Sequence, residues 1–401
     1  MSEEGRVGVL MHPVEVWGCY TSRTQPETYG TSATGQGPGA SERAGNTDVF
    51  GIGKSRTVVG LDIGSSAVKA VELKAVARGY RVVAIASEAI PPDSIVDGAI
   101  IDGVGVADAI RRVLDQAGIK TRDVAASLSG NAVIVKKISL PQMTESELSE
   151  TIRWEAEQYI PFDVQDVNLD YQILDPGGAD GKAAMDVLLV AAKKDKIGDY
   201  TSVIAQAGRV PVVIDVDAFA MQNAFEANYD ADPAEVNVLM NVGASAININ
   251  IVCDGASVFT RDISIGGHAF TEAIQREFNL PFGRAEQAKR GEAVEGAQAE
   301  ETRAVLKAVT ENVLLEIQKT FDFFRATAAS DRLDRIMLCG GGARVDGFVS
   351  ALGERFGLRV EPLDPFRRIP LDAAKFGVAA DDVAPTSVVA VGLALRREGD
   401  R

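Results

Sequence analysis

Apolar and polar positions along this chain alternate in two periods, and the switches between them mark its elements. Residues 58–62 and 67–73 are short apolar runs with β-branched members, the pattern of buried strands. After Gly79-Tyr80, RVVAIASEAI continues them as the third strand of an antiparallel meander. The spacing of Val106, Ile110, Val113 and Leu114 is helical and predicts a helix over 106–117 ended by Gly118. Residues 124–128 return as a strand, and 133–138 form another. Thr144-Glu145-Ser146-Glu147 reads as a capping box, opening a helix that carries Leu148, Ile152, Ala156 and Tyr159 on one face and stops at Pro161. Strands at 168–174 and 185–191 flank the turn DPGGADGK, and a helix at 195–207 leads to a strand at 210–215. The order β-α-β-β-α-β over about 80 residues predicts a small α+β insert of split-βαβ type.

The second half opens as the first did. A strand at 236–241 runs into Val242-Gly243-Ala244-Ser245 and returns as AININIVCDG. Gly266 and Gly267 precede a helix bearing Phe270, Ile274 and Phe278. A short helix at 284–290 and a long one at 304–325 follow, the latter with Val305, Val309, Val313, Ile317 and Phe321 facing inward. A strand at 335–339 meets Gly340-Gly341-Gly342, a helix covers 345–356, and a last helix at 388–397 carries Ala390, Gly392 and Ala394, small enough for close packing. Two halves that begin alike predict duplicated domains.

Residues 1–55 break the pattern. They are polar, rich in Gly, Ser and Thr, and without period, so they cannot bury enough apolar area to offset their ordering entropy and are expected to be disordered. Their last stretch, Gly51-Ile52-Gly53-Lys54-Ser55, has the end of a P-loop, but Asp48 stands where that motif needs its first glycine and no strand precedes it.

Composition narrows the function classes. With 401 residues, 46% apolar and 24% charged, the chain has room for two or more globular domains. A formal net charge of −16 argues against a general nucleic-acid or anionic-membrane binder, both of which need a basic field. Three scattered cysteines and two histidines make a zinc site a poor fit and suit a reducing compartment. No long apolar run and no signal-peptide pattern is visible, so a cytosolic protein is expected, meeting a membrane only through partners.

Candidate chemistry sits at the glycine-rich strand ends. A hairpin turn at Gly64-Ser65-Ser66 can aim consecutive backbone N–H groups at an anion. Asp62, at the strand end, is placed for a hydrated Mg²⁺, which takes one or two carboxylates, phosphate oxygens and waters. Lys69, on the returning strand, is within reach of a phosphate. The alternative is an ordinary turn with Lys69 on a solvated face. The second Gly-Ser turn and the triple glycine favour the first reading, since three such ends would surround one nucleotide.

These motifs resemble those of the actin, Hsp70 and sugar-kinase superfamily. Within it, four stretches resemble the PilM family of type IV pilus assembly proteins: GLDIGSSAVKAVEL, LPQMTESELSETIRWEAEQYIPFDVQDVNLDYQIL, SIGGHAFTEAIQREFNLPFGRAEQAKRG and LCGGGARVDGF. The likeness runs from about residue 56 to the end. It leaves the first 55 residues as an extension or a wrongly chosen start. It implies an α/β, actin-like (ribonuclease H-like) fold of duplicated domains around a nucleotide cleft. The expected division is a first domain at 56–130 and 213–232, the insert at 131–212, a second domain at 233–268 and 332–401, and a helical subdomain at 269–331.

The resemblance also implies roles. Asp62 corresponds to the metal-side aspartate, with Gly64, Ser65, Ser66 and Lys69 as the first phosphate loop and Gly243, Ala244 and Ser245 as the second, backed by Gly266 and Gly267. Glu286 and Lys289 resemble the pair at the ribose and adenine, and Gly340, Gly341 and Gly342 the adenosine loop. The implied cofactors are ATP and Mg²⁺. The implied partner is the N-terminal cytoplasmic tail of PilN, within a PilN/PilO inner-membrane complex, with pilus motor ATPases and the platform protein as further neighbours and with the insert and its neighbouring first domain forming the peptide groove. One position departs: Asn241 stands where many relatives carry aspartate. An amide keeps hydrogen bonding but loses the charge that would hold Mg²⁺ or orient a water, so ATP binding is expected and hydrolysis is expected to be slow or absent. Asp217 is either the general base or simply an N-cap of the helix DAFAMQNAF. Trp154 and Phe162 are each core or peptide anchor. Two rivals share the motifs: an FtsA-like division protein, which would end in an amphipathic membrane helix, and a small-molecule kinase, which would add a substrate base.

Overall fold

The computed structural model describes residues 8–9, 57–176, 184–327 and 332–397. Its first strand, β1 (Gly8–Val9), lies in the segment expected to be disordered; the rest of that expectation, the P-loop-like end and most of the DPGGADGK turn fall outside the described residues. The meander follows as β2 (Val59–Ile63), β3 (Ala67–Ala75) and β4 (Tyr80–Ala89), with a small ribbon of β5 (Ile95–Val96) and β6 (Ala99–Ile100). Helix α1 (Gly103–Gln116) starts earlier than its apolar spacing suggests because the Asp102 side chain accepts from the Gly105 N–H and caps it. Strand β7 (Asp123–Leu128) closes this part.

The insert is smaller than its sequence pattern. It comprises β8 (Val133–Pro141), α2 (Glu145–Ala156), β9 (Val167–Asp175) and β10 (Ala184–Lys193), in a three-stranded sheet ordered β8-β10-β9. The capping box forms as read: Thr144 caps the Glu147 N–H and the Glu147 carboxylate returns to the Thr144 N–H at 2.8 Å. The next two elements, α3 (Lys194–Gln206) and β11 (Val210–Val216), were expected to complete a split βαβ unit. Instead β11 pairs parallel with β7, and α3 packs against α1 and β11 in the first domain. Local periodicity is the same for either allegiance, so only the tertiary pairing decides it.

After α4 (Asp217–Asn228) the plan repeats with β12 (Val236–Val242), β13 (Ile247–Cys253) and β14 (Ala256–Ile263). Helices α5 (Gly267–Phe278), α6 (Phe282–Lys289) and α7 (Ala299–Thr327) lead to β15 (Arg335–Cys339), α8 (Phe348–Phe356) and β16 (Arg359–Pro362). Two single-turn helices, α9 (Ala373–Phe376) and α10 (Ala380–Val383), precede α11 (Val388–Ala394). On α7 the buried stripe is Leu306, Val313, Leu314, Ile317, Phe321 and Phe324, while the expected Val305 and Val309 lie half-buried at its edge.

Duplication is visible in the strand orders. One sheet runs β1-β11-β7-β2-β3-β4 and the other β14-β13-β12-β15-β16. In each, an antiparallel three-stranded meander is joined, on the side of its first strand, by parallel strands: β7, β11 and the short β1 in the first sheet, β15 and β16 in the second. Helices α4 and α11, which follow the last parallel strands of the two sheets, pack on each other with no room for a side chain. A Cβ on Gly392 would stand 1.7 Å from the Ala220 carbonyl oxygen, and one on Gly60 of β2 would stand 1.9 Å from that of Ala390. A shared core of Met221, Phe225, Leu239, Met337 and Val391 fills the space between the sheets. The Arg396 guanidinium grips Asp215 of β11 with two bonds of 2.7 and 2.9 Å, both side chains fully buried.

Candidate functional site

A cleft of about 1150 Å³ opens between the two meanders. Asp62, Gly64, Ser65, Ser66, Lys69, Asp217, Asn241, Gly243, Ala244, Ser245, Gly267, Glu286, Lys289, Gly340, Gly341 and Gly342 all line it. Gly266 alone of the sequence candidates stands behind the wall, where a Cβ would meet the Ala244 carbonyl oxygen at 2.6 Å.

The two hairpins close in the same way. The Gly64 N–H donates to the Ala67 carbonyl at 3.1 Å, and the Gly243 N–H to that of Ala246 at 2.9 Å. They face one another, and the hydroxyls of Ser65 and Ser245 meet across the cleft at 2.8 Å. Beneath the first turn, Asp62 and Lys69 are cross-strand partners, and the Lys69 Nζ donates to Asp62 Oδ2 at 2.8 Å. The second turn is braced by the start of α5, where Gly267 N–H donates to the Gly243 carbonyl and His268 N–H to that of Ala244.

The glycine loop after β15 needs its glycines for packing as well as for approach. Gly340 has φ +91°, and a Cβ there would stand 2.3 Å from the Val242 carbonyl oxygen and 2.5 Å from Asn241 Oδ1. Gly342 is equally tight against the Val242 side chain, whereas Gly341 has no neighbour nearer than 3.9 Å. Beside the loop, the Lys289 ammonium bonds Glu286, the Thr271 hydroxyl at 2.9 Å and the Gly267 carbonyl at 3.1 Å. Burial works to raise the Glu286 carboxyl, but its bonds to Lys289 and Thr271 outweigh this and hold it below the usual range.

Asp217 is not an N-cap. Val216 occupies that position without a side-chain bond, and Asp217 is the first residue of α4, its carboxylate accepting from the Ser127 hydroxyl at 2.5 Å. Burial, reinforced by the charge of Asp62, pushes its pKa up to about 6. Among the described residues, no three His, Cys, Asp or Glu side chains converge as a metal cage. Asp62 offers a single carboxylate, a donor set that suits a Mg²⁺ ion retaining its waters and taking phosphate oxygens.

Sequence reasoning missed Asn248 and Asp262. They extend from Asn241 as successive cross-strand neighbours and line the cleft. It also left Trp154 and Phe162 open: Phe162 packs on the insert's core with the Lys193 ammonium 4.2 Å from its ring centre, while Trp154 is 72% exposed on α2.

Comparison with known proteins places this architecture. A family model for the type IV pilus assembly protein PilM matches residues 60–398. The solved PilM–PilN type IV pilus biogenesis complex matches with 30% identity and a TM-score of 0.76, covering 85% of this chain and 98% of that chain. The ethanolamine utilization protein EutJ from Carboxydothermus hydrogenoformans matches at 16% identity and a TM-score of 0.50, over 85% of this chain and 89% of that one, a likeness of fold.

Proposed function

The chain belongs to the type IV pilus assembly protein PilM family and has its actin-like fold, and from that premise we propose that it is an ATP-loaded scaffold of the pilus machine that binds the cytoplasmic tail of PilN. The observation that carries the nucleotide reading is the pair of identically closed glycine hairpins, facing each other over Asp62 and Lys69. In this reading the turn amides and Lys69 hold the phosphates, Asp62 orients the waters of Mg²⁺, and Glu286 and Lys289 meet the ribose. Bound Mg²⁺ would neutralise phosphate charge. Asn241 brings no charge to that site, which supports a turnover well below the enzyme median of about 10 per second.

Support for the partner comes from the PilM–PilN complex, whose matched chain is covered almost end to end. The insert supplies the contact in this reading, with Trp154 as an aromatic anchor that the fold itself does not bury. No helix among the described residues is long and apolar enough to cross a membrane, so PilN would hold this chain at the inner membrane. The test is a fluorescence-polarisation titration of a PilN tail peptide against the wild type and Trp154→Ala. Losing an anchor should weaken binding by more than about fivefold, the cost of a truncation above roughly 1 kcal/mol, without lowering the melting temperature. Equal affinities would remove Trp154 from the contact.

A further inference from the structure

Across the second meander runs a row of three polar side chains, one per strand. Asn241 of β12 faces Asn248 of β13, which faces Asp262 of β14. The Asn241 Nδ2 donates to Asn248 Oδ1 at 3.0 Å, and the Asn248 Nδ2 donates to Asp262 Oδ1 at 2.8 Å. The other Asp262 oxygen crosses to the first domain, where it accepts the backbone N–H of Gly130. Gly130 opens the turn that feeds β7 into β8, the first strand of the insert, and β14 packs against both that turn and β8. At the opposite end, Asn241 Oδ1 lies against Gly340 of the glycine loop, only 2.5 Å from where a Cβ would stand. The row therefore spans from the nucleotide loop of one domain to the root of the insert on the other.

Its donors all point one way. The Asp262 carboxylate, bonded by two N–H groups, can only accept; Asn248 must therefore turn its amide nitrogen toward Asp262 and its carbonyl toward Asn241. Asn241 must then supply a donor, which an amide has and an ionised carboxylate lacks. An aspartate at 241 would leave Asn248 between two acceptors, with one of them facing its carbonyl oxygen. The identity of the odd residue in the cleft thus follows from the far end of the row.

We propose that Asn241, Asn248 and Asp262 are positioning residues forming a directional hydrogen-bond relay, through which the state of the cleft reaches the insert at Gly130. The ligand that drives the relay rests on the ATP reading above, but the relay itself can be tested without ligand. Hydrogen–deuterium exchange of the full chain, followed at the Gly130 amide, is the readout. Asn241→Asp reverses one end without changing its size, and should speed exchange at Gly130 about tenfold even though position 241 does not touch that amide. Combining it with Asp262→Asn exchanges acceptor for donor at the other end. Asn248 can then rotate, the new amide at 262 can still accept from Gly130, and protection should return to near the wild-type rate. Unchanged exchange in Asn241→Asp, or a double variant no better protected than the single one, would overturn the relay. In a second arm, Mg-ATP should alter Gly130 exchange in the wild type and leave it unaltered in Asn241→Asp. Binding heat with no change at Gly130 in the wild type would overturn the coupling. Absence of binding heat would overturn the ATP reading instead, and the ligand-free arm would still decide the relay.

Discussion

Replacing Lys69 with alanine removes the ammonium beneath the first hairpin turn. Its Nζ is 2.8 Å from Asp62, the two side chains are 18% and 15% exposed, and it lies 3.5 Å from where a Gly64 Cβ would stand. At such a site a charge-assisted bond to a phosphate is worth about 1.5–3 kcal/mol, which corresponds to roughly a 10- to 150-fold loss in affinity. Asp62→Ala acts differently, because it removes the counter-ion of Lys69 as well as the anchor for metal-bound water. Affinity for Mg-ATP should fall by a similar factor, while affinity for ATP in excess EDTA should hold or rise as Lys69 is released to the phosphates. Isothermal titration of both variants, with and without Mg²⁺, separates these effects, and thermal melts confirm that the fold persists. Wild-type affinity for Mg-ATP in both variants would refute the assignment of this hairpin as a phosphate site.

The raised Asp217 carboxyl makes a linked prediction. Its folded-state pKa of about 6 lies above the ordinary 3.8, so the native state binds the proton more tightly and the group costs stability as pH rises through that window. Asp217→Asn should therefore stabilise the protein at pH 8, by at most about 3 kcal/mol and less where cleft water screens it, and change little at pH 4. A pH-independent gain in urea denaturation would contradict this. Arg396→Ala leaves Asp215 buried without its bidentate partner and should cost about 3–5 kcal/mol. A cost below 1 kcal/mol in the same assay would show that the pair is dispensable.

How far the sequence carried the account depends on whether each feature is local. The hairpins, the glycine loop and the capping box are specified by neighbours within a few residues, and each appears where its pattern stands. Strand β14 has a local signal too: Asp254 and Gly255 both adopt positive φ, the requirement of a two-residue hairpin turn, and an Asp-Gly pair between apolar runs is the sequence mark of such a turn. The allegiance of α3 and β11 was not legible, since their apolar spacing serves either sheet. Nor was the relay. Asn248 reads as one of the two asparagines in AININI, and Asp262 as a polar residue near a strand end. Their meaning arises only when three strands are in register and a second domain brings Gly130 to the end of the row.

The hydroxyls of Ser65 and Ser245 meet at 2.8 Å where the account places the phosphates, and this offers its most direct test. A double variant, Ser65→Cys with Ser245→Cys, should form a disulfide that pins the hairpins together and closes the space between them. Isothermal titration of the oxidised protein should show no Mg-ATP binding, and reduction should restore it to within about tenfold of wild type, roughly the cost of two lost hydroxyl bonds. Undiminished Mg-ATP binding by the fully oxidised protein would contradict the claim that the phosphates lie between the two hairpins.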